Sequence, residues 1–273
     1  MSASAEIFYP RHPAEKLLVK MIWKVQETGL LSRIEKVLPK GNAEIIFNLS
    51  DKIYGRKTGD AQFLTLSRCM INGINFSPFE ILKQADHCFL GIQLNPFALK
   101  ILFGIPVCEF NDEVIDGTML CGQLKELTEK ITNDQSFELQ TDLILEWLRK
   151  KLAGTLCRKF DNRIAALCSD NELENFSAKK MSYQYNMSER QLRRITTDWL
   201  GQGPARYLLY KKYLKALQEI HKNKQSLTGI AYDCGFYDQS HLIREFRSFT
   251  GYAPGEYKKF MSHFPGHIFL PAI

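Results

Sequence analysis

The chain has 273 residues, of which 45% are hydrophobic and 24% are charged, values that are ordinary for a globular protein of about two domains. No apolar run approaches the roughly 18 residues that a membrane span needs, so no membrane association is expected. The first residues lack the basic and apolar segments of a secretory signal, which predicts a cytoplasmic protein.

The seven cysteines are scattered along the chain and never form a Cys-x-x-Cys pair. This pattern favours reduced thiols over a disulfide framework or a zinc site. Residues 1–157 contain only two histidines, His12 and His87, too few for a metal-dependent barrel enzyme. We therefore expect no metal, no cofactor and no enzymatic activity. The alternative is a barrel-domain enzyme or metabolite-binding protein whose second domain has an autoregulatory role.

The positive charge is confined to the second part of the chain. Residues 158–273 carry 18 Lys and Arg against 11 Asp and Glu, a net charge of +7, whereas the first 157 residues carry a net charge of −1. Such an asymmetry indicates that one domain meets a polyanion and the other does not.

Residues 1–120 contain short apolar runs separated by turn residues, a pattern typical of a small β-barrel or sandwich. Turns are predicted at 40–42 and 72–73. A short helix is predicted at 97–103, and the apolar pattern at 17–25 fits either a strand or a helix. The predicted strands are 43–49, 63–66, 71–76 and 88–94.

Between residues 120 and 152 the apolar period becomes helical. The apolar positions of the two predicted helices are Leu120, Leu124, Leu127 and Ile131, then Leu139, Leu143, Trp147 and Leu148. These faces either close the first domain or offer a surface for a homodimer. The boundary is predicted at 150–155, which gives a first domain at 1–155, a second domain at 156–262 and a tail at 263–273.

The second domain contains an internal repeat. Residues 188–207 align without gaps on residues 238–257, and a duplicated unit is stronger evidence than a single motif. The matched pairs are Leu192 with Leu242, Arg194 with Arg244, Gly201 with Gly251, Pro204 with Pro254, and Tyr207 with Tyr257. Each copy begins at a helix N-cap and ends at Gly-x-x-Pro. The surrounding pattern predicts two helix-turn-helix units joined by one long helix.

A helix-turn-helix places the start of its second helix against base edges in the major groove. The residues expected to face DNA in the first copy are Ser188, Arg190, Arg193 and Arg194. Those in the second copy are Gln239, Ser240, His241 and Arg244. Lys211 and Lys258 are expected to contact phosphates. A joining helix of about 17 residues would span roughly 25 Å and place the recognition helices about one DNA turn, ~34 Å, apart.

At these positions the sequence resembles the AraC/XylS family of bacterial transcription regulators, over about residues 161–259. The most specific match is Ile230-Ala231-x-x-Cys234-Gly235-Phe236-x-Asp238-Gln239-Ser240-His241-Leu242-x-Arg244-x-Phe246, followed by Gly251-x-x-Pro254-x-x-Tyr257. The resemblance implies that Arg190, Arg193 and Arg194 read bases in the first unit, and Ser240, His241 and Arg244 in the second. The first unit departs from the family pattern at Asn186, Ile195 and Thr196.

The N-terminal part is similar to a cupin-like sensor domain often fused to such regulators. The resemblance rests on Trp23, on Val37-Leu38-Pro39-x-Gly41-x-x-Glu44-Ile45-Ile46-Phe47-Asn48-Leu49 and on Gly91-Ile92-x-Leu94-x-Pro96. The expected fold is thus α+β, with a small barrel or sandwich followed by an all-α domain. The expected partners are double-stranded DNA, RNA polymerase, an unidentified small-molecule effector and a second copy of the chain.

Overall fold

The chain consists of a β-rich N-terminal part and a helical C-terminal part, as predicted. The computed structural model describes residues 2–29, 32–84, 86–134, 136–153, 161–169, 177–262 and 265–271. No helix in these ranges is long and apolar enough to cross a membrane. The predicted boundary at 150–155 lies partly outside them.

The N-terminal part contains two antiparallel sheets. The first has the strand order β1-β2-β9-β4-β7-β10, and the second the order β11-β3-β8-β5-β6. The strands are β1 Ser2–Phe8, β2 Val19–Thr28, β3 Arg33–Val37, β4 Ala43–Asn48, β5 Tyr54–Lys57, β6 Leu64–Thr65, β7 Cys69–Asn72, β8 Phe79–Lys83, β9 His87–Leu94, β10 Val114–Asp116 and β11 His267–Pro271. Met70 and Phe89 of the first sheet pack in one cluster with Ile81 of the second. The expected small barrel or sandwich is confirmed.

Among the described residues, five α-helices and one short 3-10 helix, Val107–Phe110, flank this sandwich. The α-helices are α1 Pro13–Leu18, α2 Ala98–Phe103, α3 Gly117–Leu120, α4 Gly122–Asn133 and α5 Phe137–Leu152. The ambiguous segment 17–25 is divided, because α1 ends at Leu18 and β2 begins at Val19. In α4 the predicted inward residues Leu124 and Ile131 are fully buried.

The inward face of α5 differs from the prediction. Leu139 is 53% exposed, whereas Thr141, Ile144 and Leu148 are buried. The first turn already reaches the core, because Phe137 packs against it. Leu139 is nine residues from Leu148, which is about 180° of helix rotation, so it lies on the opposite face of α5 from the buried residues. The packed face therefore includes the first turn but not Leu139.

The C-terminal part consists of α6 Asn162–Ser169, α7 Ala178–Gln184, α8 Glu189–Leu200, α9 Pro204–Lys222, α10 Leu227–Asp233, α11 Gln239–Thr250 and α12 Pro254–Phe260. A left-handed residue turns the chain between the two helices of each unit, with φ of 49° at Asn186 and 71° at Gly235. Gly201 and Gly251, which end α8 and α11, have φ of 82° and 79°, a conformation that favours glycine.

The segment expected to form a tail returns to the N-terminal part. Strand β11 pairs antiparallel with β3, from His267 opposite Val37 to Pro271 opposite Arg33. The segment has only five residues, so the alternation of apolar and polar side chains along it is too short to predict a strand from the sequence. The last strand thus ties the end of the helical part to the second sheet.

The long helix α9 packs directly on the N-terminal part. The Tyr213 hydroxyl donates to the Pro39 carbonyl at 3.0 Å, and the Tyr210 hydroxyl donates to the Asn75 carbonyl at 2.8 Å. The Gly41 amide in turn donates to the Tyr210 oxygen at 3.0 Å. A single hydrophobic core runs through both parts. Helix α9 is therefore a structural bridge as well as the connection between the two helix-turn-helix units.

A buried charged group holds β11 in place. His267 Nδ1 contacts the Glu35 carboxylate, and Lys40 Nζ lies 3.0 Å from His267 Nε2. Burial, together with the charge of Lys40, lowers the pKa of His267 below its usual 6.5, although Glu35 and Glu44 act in the opposite direction. Burial alone would raise the pKa of Glu35, but the hydrogen bond from His267 and the charge of Lys83 lower it overall.

We expect this group to make the docking of β11 sensitive to acid. Because the pKa of His267 is lower in the folded chain, the unfolded chain binds the extra proton, and stability falls as the pH drops below about 6.5. The free energy of unfolding of the natural protein, measured with urea, should therefore be lower at pH 5.5 than at pH 7.5. The His267→Gln variant should show a smaller decrease, and an equal decrease would contradict this assignment.

Candidate nucleic-acid interface

Two helix-turn-helix units lie on either side of α9. The first consists of α7 and α8, and the second of α10 and α11. Four residues separate the helices of the first unit, and five residues separate those of the second. Leu192 of α8 and Leu242 of α11 are fully buried, so the opposite face of each second helix is directed to solvent.

The start of α8 is fixed by a capping box, as predicted. The Ser188 hydroxyl accepts a hydrogen bond from the Gln191 amide at 3.2 Å, and the Gln191 side chain accepts one from the Ser188 amide at 3.0 Å. Such a pair satisfies two backbone donors that the helix itself leaves free. Arg190, Arg193 and Arg194 are all exposed on the turns that follow. The structure thus brings the three arginines to one accessible helix surface.

The start of α11 has a different polar surface. Asp238 caps the helix by accepting from the His241 amide at 2.7 Å, while Ser240 and Arg244 are exposed. The Arg244 side chain is 74% exposed, and its Nε lies 3.2 Å from Glu245. An ion pair this exposed contributes little and is readily exchanged for another acceptor. Arg244 is thus available to an external partner.

Two of the residues predicted to face DNA also hold the second unit together. The Gln239 side-chain oxygen accepts a hydrogen bond from Thr228 of α10 at 2.8 Å. His241 Nδ1 accepts from the Tyr237 amide at 3.3 Å, and its ring packs edge-on against Phe236 at 5.4 Å. These contacts orient the start of α11 relative to α10, a role that the sequence did not indicate.

The two predicted phosphate contacts lie in different places. Lys258 of α12 donates to the Asn223 side chain at 2.7 Å, beside the end of α9. Lys211 instead donates to the Cys168 carbonyl at 3.2 Å and lines a cleft between the two parts of the chain. Helical periodicity identified Lys211 as a polar position of α9. It carried no information about which residues that face of the helix would contact.

The C-terminal end of α8 is anchored on the N-terminal part. Lys100 of α2 forms an ion pair with Asp198 at 3.1 Å and lies 4.7 Å above the Trp199 ring. The Asn111 side chain donates to the Gly201 carbonyl at 2.6 Å. Trp199 is half-buried at this junction. Helix α8 is therefore held at its C-terminal end, whereas its N-terminal end is open to solvent.

Exposed tyrosines are a feature that the sequence reasoning missed. Tyr183 of α7 is 86% exposed and Tyr232 of α10 is 85% exposed. They are 49 positions apart, one fewer than the 50 that separate the aligned copies, because the second unit has one more residue between its two helices. The tyrosines are therefore equivalent, and the repeat itself contained the signal. The first helix of such a unit crosses the DNA backbone, where a tyrosine hydroxyl can donate to phosphate.

Comparison with protein families gives two matches. Residues 181–259 match a family described as a helix-turn-helix domain, and residues 10–116 match a domain of unknown function (DUF6597). The first range includes α8, α9, α10 and α11, and therefore both exposed helix starts. The second lies within the β-rich N-terminal part.

Curated relatives match over part of their length. The chain is 31% identical over 98 residues to the HTH-type transcriptional activator RhaS of an Enterobacter strain, covering 36% of this chain and 35% of RhaS. It is 30% identical over 105 residues to the HTH-type transcriptional regulator GbdR of Pseudomonas aeruginosa, covering 38% of this chain and 28% of GbdR. The chain thus spans about a third of the length of these relatives.

Solved structures are also similar. ToxT from Vibrio cholerae aligns over 95% of this chain and 98% of its own, with a TM-score of 0.48 and 10% sequence identity. The DNA-binding domain of AdpA, solved in complex with a target DNA, aligns over 36% of this chain and 88% of its own, with a TM-score of 0.33 and 23% identity.

Proposed function

We propose that the whole protein is a sequence-specific regulator of transcription of the AraC type, because residues 181–259 match a helix-turn-helix family and the curated relatives of this region are transcriptional regulators. In this proposal α8 and α11 enter two adjacent major-groove segments on one face of the DNA. Arg190, Arg193 and Arg194 serve the first segment, and Ser240 and Arg244 the second.

The observation that carries the proposal is the duplication of an accessible, capped helix start. In both units the apolar face is buried while arginine and small polar side chains occupy the first turns. Arginine can form two hydrogen bonds with guanine in the major groove, and serine can bond several bases. The net charge of +7 in residues 158–273 provides the attraction to phosphates that all such complexes need.

The N-terminal sandwich, with α1 to α5, is proposed as a sensing and dimerisation domain that covers residues 1–155. Its contacts with α9 would let an effector bias the presentation of both recognition helices, provided that the effector binds the two arrangements unequally. RNA polymerase, an effector and a second copy of the chain are the further partners of this proposal, which places the protein in the bacterial cytoplasm beside its DNA.

Salt dependence tests the proposal directly. We expect the full-length protein to bind duplex DNA with an affinity that falls steeply from 50 to 200 mM salt, because each phosphate contact releases condensed counterions. Fluorescence anisotropy with a labelled duplex measures this. Absence of binding at 50 mM salt would refute the proposed function. In the Lys258→Ala variant the slope of log affinity against log salt should be smaller by about one unit.

A further inference from the structure

A cleft of about 850 Å³ lies between the two parts of the chain. Lys20 of β2 and Lys40, just after β3, lie on the N-terminal side. Lys211 and Leu214 of α9 lie on the opposite side. The volume is in the range of sites that hold small organic ligands. Neither recognition helix start contributes to this cleft, so it is separate from the proposed DNA surface.

Three ammonium groups in the cleft have neutral neighbours. Lys20 Nζ donates to the Asn42 side chain at 2.8 Å, and Lys211 Nζ to the Cys168 carbonyl at 3.2 Å. Lys40 Nζ lies 3.0 Å from the His267 ring. Within the described ranges, no carboxylate forms an ion pair with any of the three.

The positive charges in the cleft also act on one another. The surrounding atoms lower the pKa of Lys20 by desolvation, and the charge of Lys211 lowers it further. Cys168 and Glu44 raise it, but the net direction is downward. Two cations that repel in a poorly solvated cleft are stabilised when an anion lies between them. The cleft is thus electrostatically suited to a negatively charged group.

The remaining lining is both apolar and polar: the polar residues include Glu219, whose carboxylate is paired with Lys222 at 2.8 Å, and the apolar residues form part of both walls. Leu17, Ile74 and Phe97 line the N-terminal side, and Leu214 and Tyr207 belong to α9. A free inorganic anion would leave this apolar surface in contact with water, whereas an organic anion would cover it. The mixture of cations and apolar side chains therefore selects for a molecule with both properties.

We propose that this cleft binds an organic anion, with its carboxylate or phosphate group held by Lys20 and Lys211 and its apolar part against Ile74, Phe97 and Leu214. The ligand joins β2 to α9 and thereby strengthens the docking of the helical part on the sandwich. The proposal of a binding site depends only on the observations made at the cleft. Its role as the effector site rests on the proposed function.

Titration calorimetry of the full-length protein tests the site. The probes are octanoate, phenyl phosphate, inorganic phosphate and 1-octanol. At least one of the two organic anions should bind, and the one that binds more tightly identifies the preferred charged group. Inorganic phosphate and 1-octanol should bind at least about tenfold more weakly, since each supplies only one of the two interactions.

Variants locate the binding. Lys20→Gln and Lys211→Gln should each weaken the binding of the organic anion at least about tenfold, because each removes a charge-assisted hydrogen bond. Lys211→Arg keeps the charge and should retain binding, which separates loss of the ligand from loss of folding. Lys125→Gln, at an exposed position of α4 outside the cleft, should bind like the natural protein. Circular dichroism checks that each variant is folded.

Three outcomes would overturn the inference: no binding of either organic anion at millimolar concentration, equal binding of inorganic phosphate, or unchanged binding in both glutamine variants. Anisotropy with duplex DNA is measured on the same samples. DNA binding without anion binding would reject the cleft and leave the proposed function intact. Anion binding without DNA binding would reject the proposed function and leave the anion site in the cleft intact.

Discussion

Replacing Arg244 by alanine should cost about 1–3 kcal/mol of binding free energy on the preferred DNA sequence and relax base choice at one position. The reason is that a guanidinium can make two hydrogen bonds to one guanine, and alanine makes none. The Arg244 side chain is 74% exposed, so its loss should disturb the fold little. Competition binding with single-base variants of the site measures both effects.

Two control variants separate base reading from general attraction. Lys258→Ala, next to the end of α9, should weaken all sequences alike, because a phosphate contact carries no direct sequence information. Arg11→Ala removes an exposed arginine of the N-terminal part and should change neither affinity nor preference. If Arg244→Ala leaves the sequence preference intact, the assignment of α11 as a recognition helix is wrong.

Replacing Tyr213 by alanine should destabilise the protein by about 3–5 kcal/mol, the usual cost of removing a large buried ring. Tyr213 is fully buried, and its ring lies 4.6 Å from that of Phe249 and 5.8 Å from that of Tyr210. Its hydroxyl donates to Pro39, so the same side chain connects α9, α11 and the sandwich. Urea denaturation measures the loss.

The Tyr213→Phe variant removes only the hydroxyl and its hydrogen bond to Pro39. We expect the free energy of unfolding to fall by about 1 kcal/mol, because most of the ring packing is retained. Tyr232→Ala is the matched surface control: this tyrosine is 85% exposed, and its loss should change stability by no more than about 0.5 kcal/mol. A loss below about 1 kcal/mol in Tyr213→Ala would show that α9 does not join the two parts as described.

The helical part was largely predictable because its signals are local. Ser188 and Asp238 cap their helices, and the glycines after α8 and α11 adopt the left-handed conformation that their position predicted. The resemblance to a helix-turn-helix family is confirmed over residues 181–259. Thr196 is explained by the structure: it is fully buried, and its hydroxyl donates to the Leu192 carbonyl where the second copy has Phe246.

The contacts between the two parts were not predictable in the same way. Strand β11 is separated from its partner β3 by more than 200 residues, and nothing in either segment specifies the pairing. Lys211 was assigned to phosphate because it is a basic residue on a helix, yet its neighbours are Cys168 and the cleft. Such positions depend on how two separately folded surfaces meet, and helical periodicity contains no information about that.

The most direct test of the central claim is the selection of preferred sites from random duplex DNA by the full-length protein. The two recognition helices should enrich sites with two short conserved segments whose centres are about 10 base pairs apart, one helical turn. Arg244→Ala should lose conservation within one segment and retain the other. Enrichment of a single segment, or of no sequence at all, would contradict a regulator that reads DNA through both units.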